Sequence, residues 1–291
     1  MLLKLINSPL NQIQEQNRSK FEQIINTMIH GYQKYSIDRE VFTPGFFDMW
    51  NADETNFSTI ATELKGKLGK DLHLMGVSVD SCLQLASLEG ISRVTIVSLT
   101  DELLWLQLPF YVKLFCEASS ISEMEKQVRH YSDMDSVSFV DFMFKLNKNT
   151  PFNLNEQEQQ LKTLYLKLKR SLLPVIYSFE YKDLLWITED KLFNRVRNLI
   201  LNGAIIPSKF DLLADTNEPR PKSKNLAADI LFLSNITGSQ AWNNNLNQIN
   251  IAKRLSPYFK TNTWVIHTPL SISTAVVQDS NAFSQGKKVH H

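Results

Sequence analysis

Leu72-His73-Leu74-Met75-Gly76-Val77-Ser78 and Val94-Thr95-Ile96-Val97-Ser98-Leu99 decide the fold. Each is a short apolar run, the second one β-branched, and each reads as a buried strand with a serine, Ser78 or Ser98, at or next to its end. Residues 80–88 between them have helical periodicity, and Gly90 closes that helix. Residues 101–115 follow the second run as a strongly apolar helix carrying Leu103, Leu104, Leu106, Leu108, Val112 and Leu114. Strand, helix, strand, helix in that order implies a parallel sheet with crossover helices.

Working outward, residues 10–35 are polar with Ile13, Phe21, Ile24, Ile25, Met28 and Ile29 at helical spacing, an amphipathic helix. Pro44-Gly45 marks a turn, and Phe46, Phe47, Met49 and Trp50 form an aromatic cluster that suits either a lid or core packing. Residues 58–68 read as a helix ended by Gly69. Downstream, residues 118–200 hold no strand signal; helices are expected over 137–146, over 156–173 before Pro174, and over 190–202, closed by Gly203. Strand signals return at 204–207, within 226–235 and at 262–268, with a helix over 246–255 whose last turn carries Lys253 and Arg254, matching the dipole. The expectation is an α/β domain over 51–275 with a helical insertion at about 118–200 between its second and third strands. An N-terminal helical arm, 1–50, precedes it and a flexible tail, 276–291, follows.

Composition removes several function classes. The 291 residues carry 31 Lys and Arg against 30 Asp and Glu, a net charge of +1, which gives no basic footprint for nucleic acid. There are 9 glycines, where average usage would give about 20. None stands two residues from another, so G-x-G motifs are absent, as are G-x-x-x-x-G-K-[ST], G-x-S-x-G and H-E-x-x-H. Cys82 and Cys116 are too few for a thiolate zinc site or a disulfide framework. His30, His73 and His130 have no metal-ligand spacing. The apolar run at the N-terminus is too short for a signal peptide, and no stretch reaches the roughly 18 apolar residues of a membrane span. A soluble cytoplasmic protein is expected.

In an open parallel sheet, ligands bind beyond the carboxyl ends of the strands at the point where strand order reverses. The strand ends here are polar: Ser78, Asp80 and Ser81; Ser98 and Asp101; Asp211; Ser234 and Asn235; His267. Taken in series, these segments resemble the class I S-adenosylmethionine-dependent methyltransferase fold, a Rossmann-like sheet. More narrowly they are similar to the betaine-lipid synthases, which move the aminocarboxypropyl group of that cofactor. Met49-Trp50-Asn51-Ala52-Asp53 stands where that family has a Trp-Glu-Asp-type motif ahead of the domain. Met75 to Ser81 resembles the first cofactor loop, and Ser98 to Leu103 the end of strand two. Phe210-Asp211-Leu212 follows strand three, Leu233-Ser234-Asn235-Ile236 matches the family's Leu-Ser-Asn-Ile, and Ile251 to Pro257 resembles the helix and turn before strand five.

The resemblance implies S-adenosylmethionine as cofactor. It implies that Gly76, Ser78, Asp80 and Ser81 hold its methionine end, Ser98 or Asp101 its ribose, and Asp211 its adenine side. Trp50 joins the cofactor set, and Ser234 and Asn235 line the reaction centre. His267, at a strand end with an ordinary pKa of about 6.5, is the candidate general base. The implied reaction is methyl or aminocarboxypropyl transfer to a small-molecule or lipid acceptor. Two departures support a rival class. Only Gly76 remains of a glycine-rich loop, with Val77 and Val79 where small residues are expected, and Ser98 replaces an acidic residue. The rival is the same fold with a decayed loop, acting as a binding or interaction module with a protein partner. Residues 161–170, basic and apolar, read either as a packed amphipathic helix or as a peripheral membrane contact.

Overall fold

The computed structural model describes residues 9–37, 56–99, 101–151, 158–182, 184–214, 221, 226–234, 248–268 and 275–286. Helices α1 (Pro9–Tyr35) and α2 (Phe57–Leu64) precede β1 (Leu72–Val77), α3 (Val79–Ala86) and β2 (Ile91–Ser98). Five helices then intervene: α4 (Asp101–Glu117), α5 (Ile121–Asp133), α6 (Ser136–Asn147), α7 (Glu158–Tyr181) and α8 (Asp190–Leu201). The chain continues through β3 (Ile205–Lys209), β4 (Ala228–Ser234), α9 (Gln248–Leu255), β5 (Phe259–His267), β6 (Val276–Asp279) and α10 (Ser280–Ser284).

The six strands form one sheet in the order β3-β2-β1-β4-β5-β6, parallel except for β6, which pairs antiparallel with β5. Order therefore reverses between β1 and β4, as in a Rossmann-like doubly wound sheet. Alternation along each strand divides the core between two faces. Leu74, Val94, Ile96, Ile230, Phe232 and Ile266 pack with α1 to α8 on one face. Met75, Val97, Leu231, Leu233 and Val265 pack with α9, Phe283 and the 210–214 turn on the other. Helices leaving β1 and β2 cover the first face and those leaving β4 cover the second, which is what right-handed crossovers in opposite directions require.

The helical insertion between β2 and β3 is layered on α4, whose Leu104, Trp105, Leu108, Phe110 and Phe115 are buried. Helices α5 and α6 pack on α4, and α7 packs on both, outermost. Pro174 does not end α7, which continues to Tyr181, because Val175, Ile176 and Phe179 beyond it are buried against that layer. Burying such side chains stabilises by about 1.5–3 kcal/mol each and outweighs one lost backbone hydrogen bond.

Two boundaries differ from the sequence expectation. Helix α1 is part of the domain rather than an arm: Ile24, Ile25 and Met28 are buried, and Gly31 crosses β3 so closely that a Cβ there would lie 2.9 Å from Ile206 Cγ2. Beyond α1, Ile37 N donates to Lys209 O at 2.8 Å, which shields the edge of β3. At the other end, 276–286 are not a tail. They form β6 and α10, because Val276 and Phe283 are buried and β6 satisfies the open edge of β5.

A polar knot sits at the amino end of the sheet. His73 is buried, with Nε2 2.8 Å from Thr95 Oγ1 and Nδ1 2.9 Å from Arg93 Nη2 and 3.0 Å from the Ala227 carbonyl. A guanidinium only donates, which selects the neutral ring. Burial first, then the Arg93 charge, lowers the His73 pKa to about 4 against the opposing Ala227 contact. Asp229 beside it accepts from His73 N at 2.8 Å and from Lys260 Nζ at 2.6 Å.

Candidate functional site

Backbone register builds the site. Gly76 pairs with Phe232, Val77 with Val97, and Ser234 with His267. Continuing each register past β1 brings Ser98, Ser78, Ser234 and His267 level with one another along the carboxyl edge of the sheet. Lys209 pairs with Ser98 and extends this row to β3. Neighbouring members stand about 4.8 Å apart across the sheet. Sequence reading identified all of these except Lys209 one by one; only the strand order shows that they form a row, with the Ser78–Ser234 step at the reversal point.

Ser78 is the exposed member at that step, and its backbone is at φ 70° and ψ 126°, a region that side-chain-bearing residues rarely adopt. The strain lets β1 turn directly into α3, whose first turn closes with Cys82 N donating to Ser78 O at 3.2 Å. Ser78 caps no backbone amide of α3 with its side chain. Its hydroxyl accepts from Ser81 Oγ at 3.3 Å, and Ser81 is itself fully buried.

The other loop residues turn inward. Asp80 is 4% exposed and its Oδ1 accepts from the Tyr111 hydroxyl at 2.7 Å. Burial and that carboxylate hold the Tyr111 pKa well above its ordinary value. Val79 lies in the core, which explains its size. Gly76 is required by packing: a Cβ there would lie 2.8 Å from Phe232 Cβ and 2.9 Å from Cys82 Sγ.

Asp101 opens α4 but is engaged on both oxygens. Lys209 Nζ donates to Oδ2 at 2.9 Å and the Tyr32 hydroxyl donates to Oδ1. Ser98 is half-buried, and its carbonyl accepts from Phe210 N at 3.1 Å. Asp211 shapes the turn after β3, with Oδ1 accepting from Leu213 N at 2.8 Å and its carbonyl from Ala214 N at 3.3 Å. Arg254 Nη1 fastens the same turn to α9 through Leu213 O at 2.6 Å, and Phe210 stacks on Tyr258.

His267 is 5% exposed, with Nε2 2.9 Å from Gln278 Oε1 and its ring edge-on to Phe283 at 4.9 Å. An amide oxygen accepts, so the neutral ring carries its proton on Nε2. Burial depresses its pKa against the raising effect of Gln278. Gln248 Nε2 donates to the same Gln278 oxygen at 3.3 Å and to Phe283 O at 3.0 Å. Gln248, Gln278 and Phe283 were not singled out by sequence, since nothing local marks them as partners of a histidine.

Trp50 and Asn235 lie outside the described residues, as does the aromatic cluster around Trp50. Among the described residues no group of His, Cys, Asp and Glu is arranged to hold a metal. No described helix is long and apolar enough to cross a membrane. A groove of about 520 Å³ lined by Lys67, Thr261, Asn262, Trp264, Asp279 and Ser280 lies toward the amino end of β5, away from the row. In its lining Lys67 Nζ stands over the Trp264 ring at 5.4 Å, and Asp279 Oδ1 accepts from Ala282 N at 2.9 Å. No protein-family model and no curated protein matches the chain.

Proposed function

We propose that the chain binds S-adenosylmethionine across the carboxyl ends of β1 and β4 and transfers its methyl or aminocarboxypropyl group to a small-molecule or lipid acceptor. One observation carries the reading: an exposed, strained Ser78 stands level with Ser98 and Ser234 at the reversal point of a Rossmann-like sheet. Residues held in such backbone conformations cluster at ligand sites.

The fit to the cofactor is uneven. Ser78 Oγ suits the methionine end, and Ser98 suits a ribose hydroxyl. Asp101 is committed to Lys209 and Tyr32, and Asp80 to Tyr111. The bound cofactor supplies an electrophilic carbon on a sulfonium. The chain's part is to orient that carbon, through Ser78 and Ser234, and to exclude water. His267 bears its proton on Nε2 toward Gln278, so its basic atom is Nδ1. Its lowered pKa keeps that atom unprotonated at neutral pH.

A second reading is favoured by the filling of the Gly76 Cβ position by Phe232 and Cys82: the fold persists as a non-catalytic binding or interaction module. Calorimetric titration with S-adenosylmethionine and S-adenosylhomocysteine separates the two. Micromolar affinity, lost in a Ser78→Trp, Asn235→Ala variant that keeps its melting temperature, supports the transferase. A folded chain with no heat of binding up to millimolar ligand establishes the second reading instead.

A further inference from the structure

We infer that Gln248 and Gln278 are positioning residues: they hold the His267 proton on Nε2 and so leave Nδ1 as the proton acceptor for a substrate that arrives as a hydroxyl or an amine. Strand geometry brings the first pair together. Successive side chains of β5 alternate between faces, so His267 shares the face of Val265, which packs in the second core. Gln278 of β6 pairs with Val265 across the antiparallel ladder, which makes it the diagonal neighbour of His267, within reach of a long side chain. Helix α9 covers that same face with Ile251 and Ala252. Gln248, three and four residues before them, shares their side of the helix and meets Gln278 there.

A backbone carbonyl at one end of this relay decides the protons along it. The Phe283 carbonyl only accepts, so the Gln248 atom 3.0 Å from it is the amide nitrogen. The same nitrogen lies 3.3 Å from the Gln278 amide, which must therefore present its oxygen. That oxygen is 2.9 Å from His267 Nε2, so Nε2 carries the proton. Phe283 also stands edge-on to the imidazole with ring centroids 4.9 Å apart, which limits rotation of the ring. Among the described residues no partner bonds Nδ1, and the register sets His267 level with Ser234 at the carboxyl edge. In the transfer reading, on which the use of this atom rests, the acceptor's proton passes to Nδ1. Its oxygen or nitrogen pair forms the bond to the electrophilic carbon, and the pair of the broken carbon–sulfur bond stays on sulfur. A carboxylate brings no proton at neutral pH and does not match.

Proton–nitrogen correlation spectra of the histidine rings in the full chain without ligand test it, with His267→Gln assigning the resonances and thermal melts confirming folding. The expected result is a proton on Nε2 and a lone pair on Nδ1. Gln248→Leu and Gln278→Leu should each shift the tautomer ratio toward the Nδ1–H form by about fivefold, the worth of one hydrogen bond. Gln278→Glu keeps the acceptor oxygen and should keep the wild-type tautomer. If a leucine variant unfolds, the wild-type and Gln278→Glu spectra decide. The Nδ1 resonance should move on adding ethanolamine and stay on adding propionate at the same pH. A wild-type ring protonated on Nδ1 overturns the inference, as does a folded leucine variant with an unchanged ratio. A resonance that ethanolamine leaves in place overturns the acceptor class. A proton on Nε2 without binding of S-adenosylhomocysteine upholds the relay and overturns the transfer reading alone.

Discussion

Ser78 at φ 70° is where the sheet stores strain, and strain of this kind costs about 1–3 kcal/mol. Glycine adopts that conformation freely, and the Ser78 side chain caps no backbone amide of α3. Ser78→Gly is therefore expected to raise the stability by about 1 kcal/mol and to weaken cofactor binding, read by denaturant melts and calorimetry. A variant that loses stability would show that the conformation is not strained. Gly76 behaves oppositely. Gly76→Ala sets a methyl group against Phe232 and Cys82 and is expected to cost about 1–3 kcal/mol with no ligand present, with partial recovery in a Gly76→Ala, Cys82→Ala double variant. Unchanged stability would return Gly76 to a ligand-contacting role.

His73 sets a pH dependence. Its folded pKa of about 4 lies below the 6.5 of an unfolded chain, so the unfolded state binds more protons in between. Its contribution is complete above pH 6.5 and is lost as pH falls toward 4, about 3 kcal/mol in all. His267 acts in the same direction. Chemical melts should show stability falling across that window, with a shallower fall in His73→Gln; parallel slopes would contradict the assignment. The partners that hold these residues were not legible in sequence. Tyr32 and Lys209 hold Asp101 from 69 and 108 residues away, and only the fold brings them together.

Among elements, sequence reading did best where the hydrophobic period ran over several turns or the apolar run was compact. Helix α1, expected over 10–35, spans Pro9–Tyr35, and α8, expected over 190–202, spans Asp190–Leu201. The strands at β1, β2, β4 and β5 lie where apolar runs placed them. It failed where tertiary contacts override local signals. Helix α5 is too polar to stand out, yet buries Met124, Val128 and Tyr131 and is capped by Ser120. Helix α7 passes through Pro174, and β6 is only 4 residues long and is stabilised by β5. The role of α1 also escaped, because an amphipathic pattern does not say what the apolar face covers. Since Ile24, Ile25 and Met28 seal the first core and residue 37 shields β3, a chain starting at residue 38 is expected to aggregate or melt far below the full chain. A cooperative melt near that of the full chain would restore α1 to the status of an arm.

At the scale of the whole molecule, a doubly wound sheet has one reversal point, here between β1 and β4, and the layered insertion lies over one face only. The insertion is tied to the β1–α3 side, since Gln84 of α3 accepts from Leu185 N at 2.6 Å. The polar row at the carboxyl edge and the layered insertion are thus carried by one scaffold. Hydrogen–deuterium exchange with and without millimolar S-adenosylhomocysteine tests the central claim most directly. Binding at the reversal point predicts added protection in residues 76–82 and 230–236, with α7 unchanged. Protection elsewhere, or none in either segment, would contradict it.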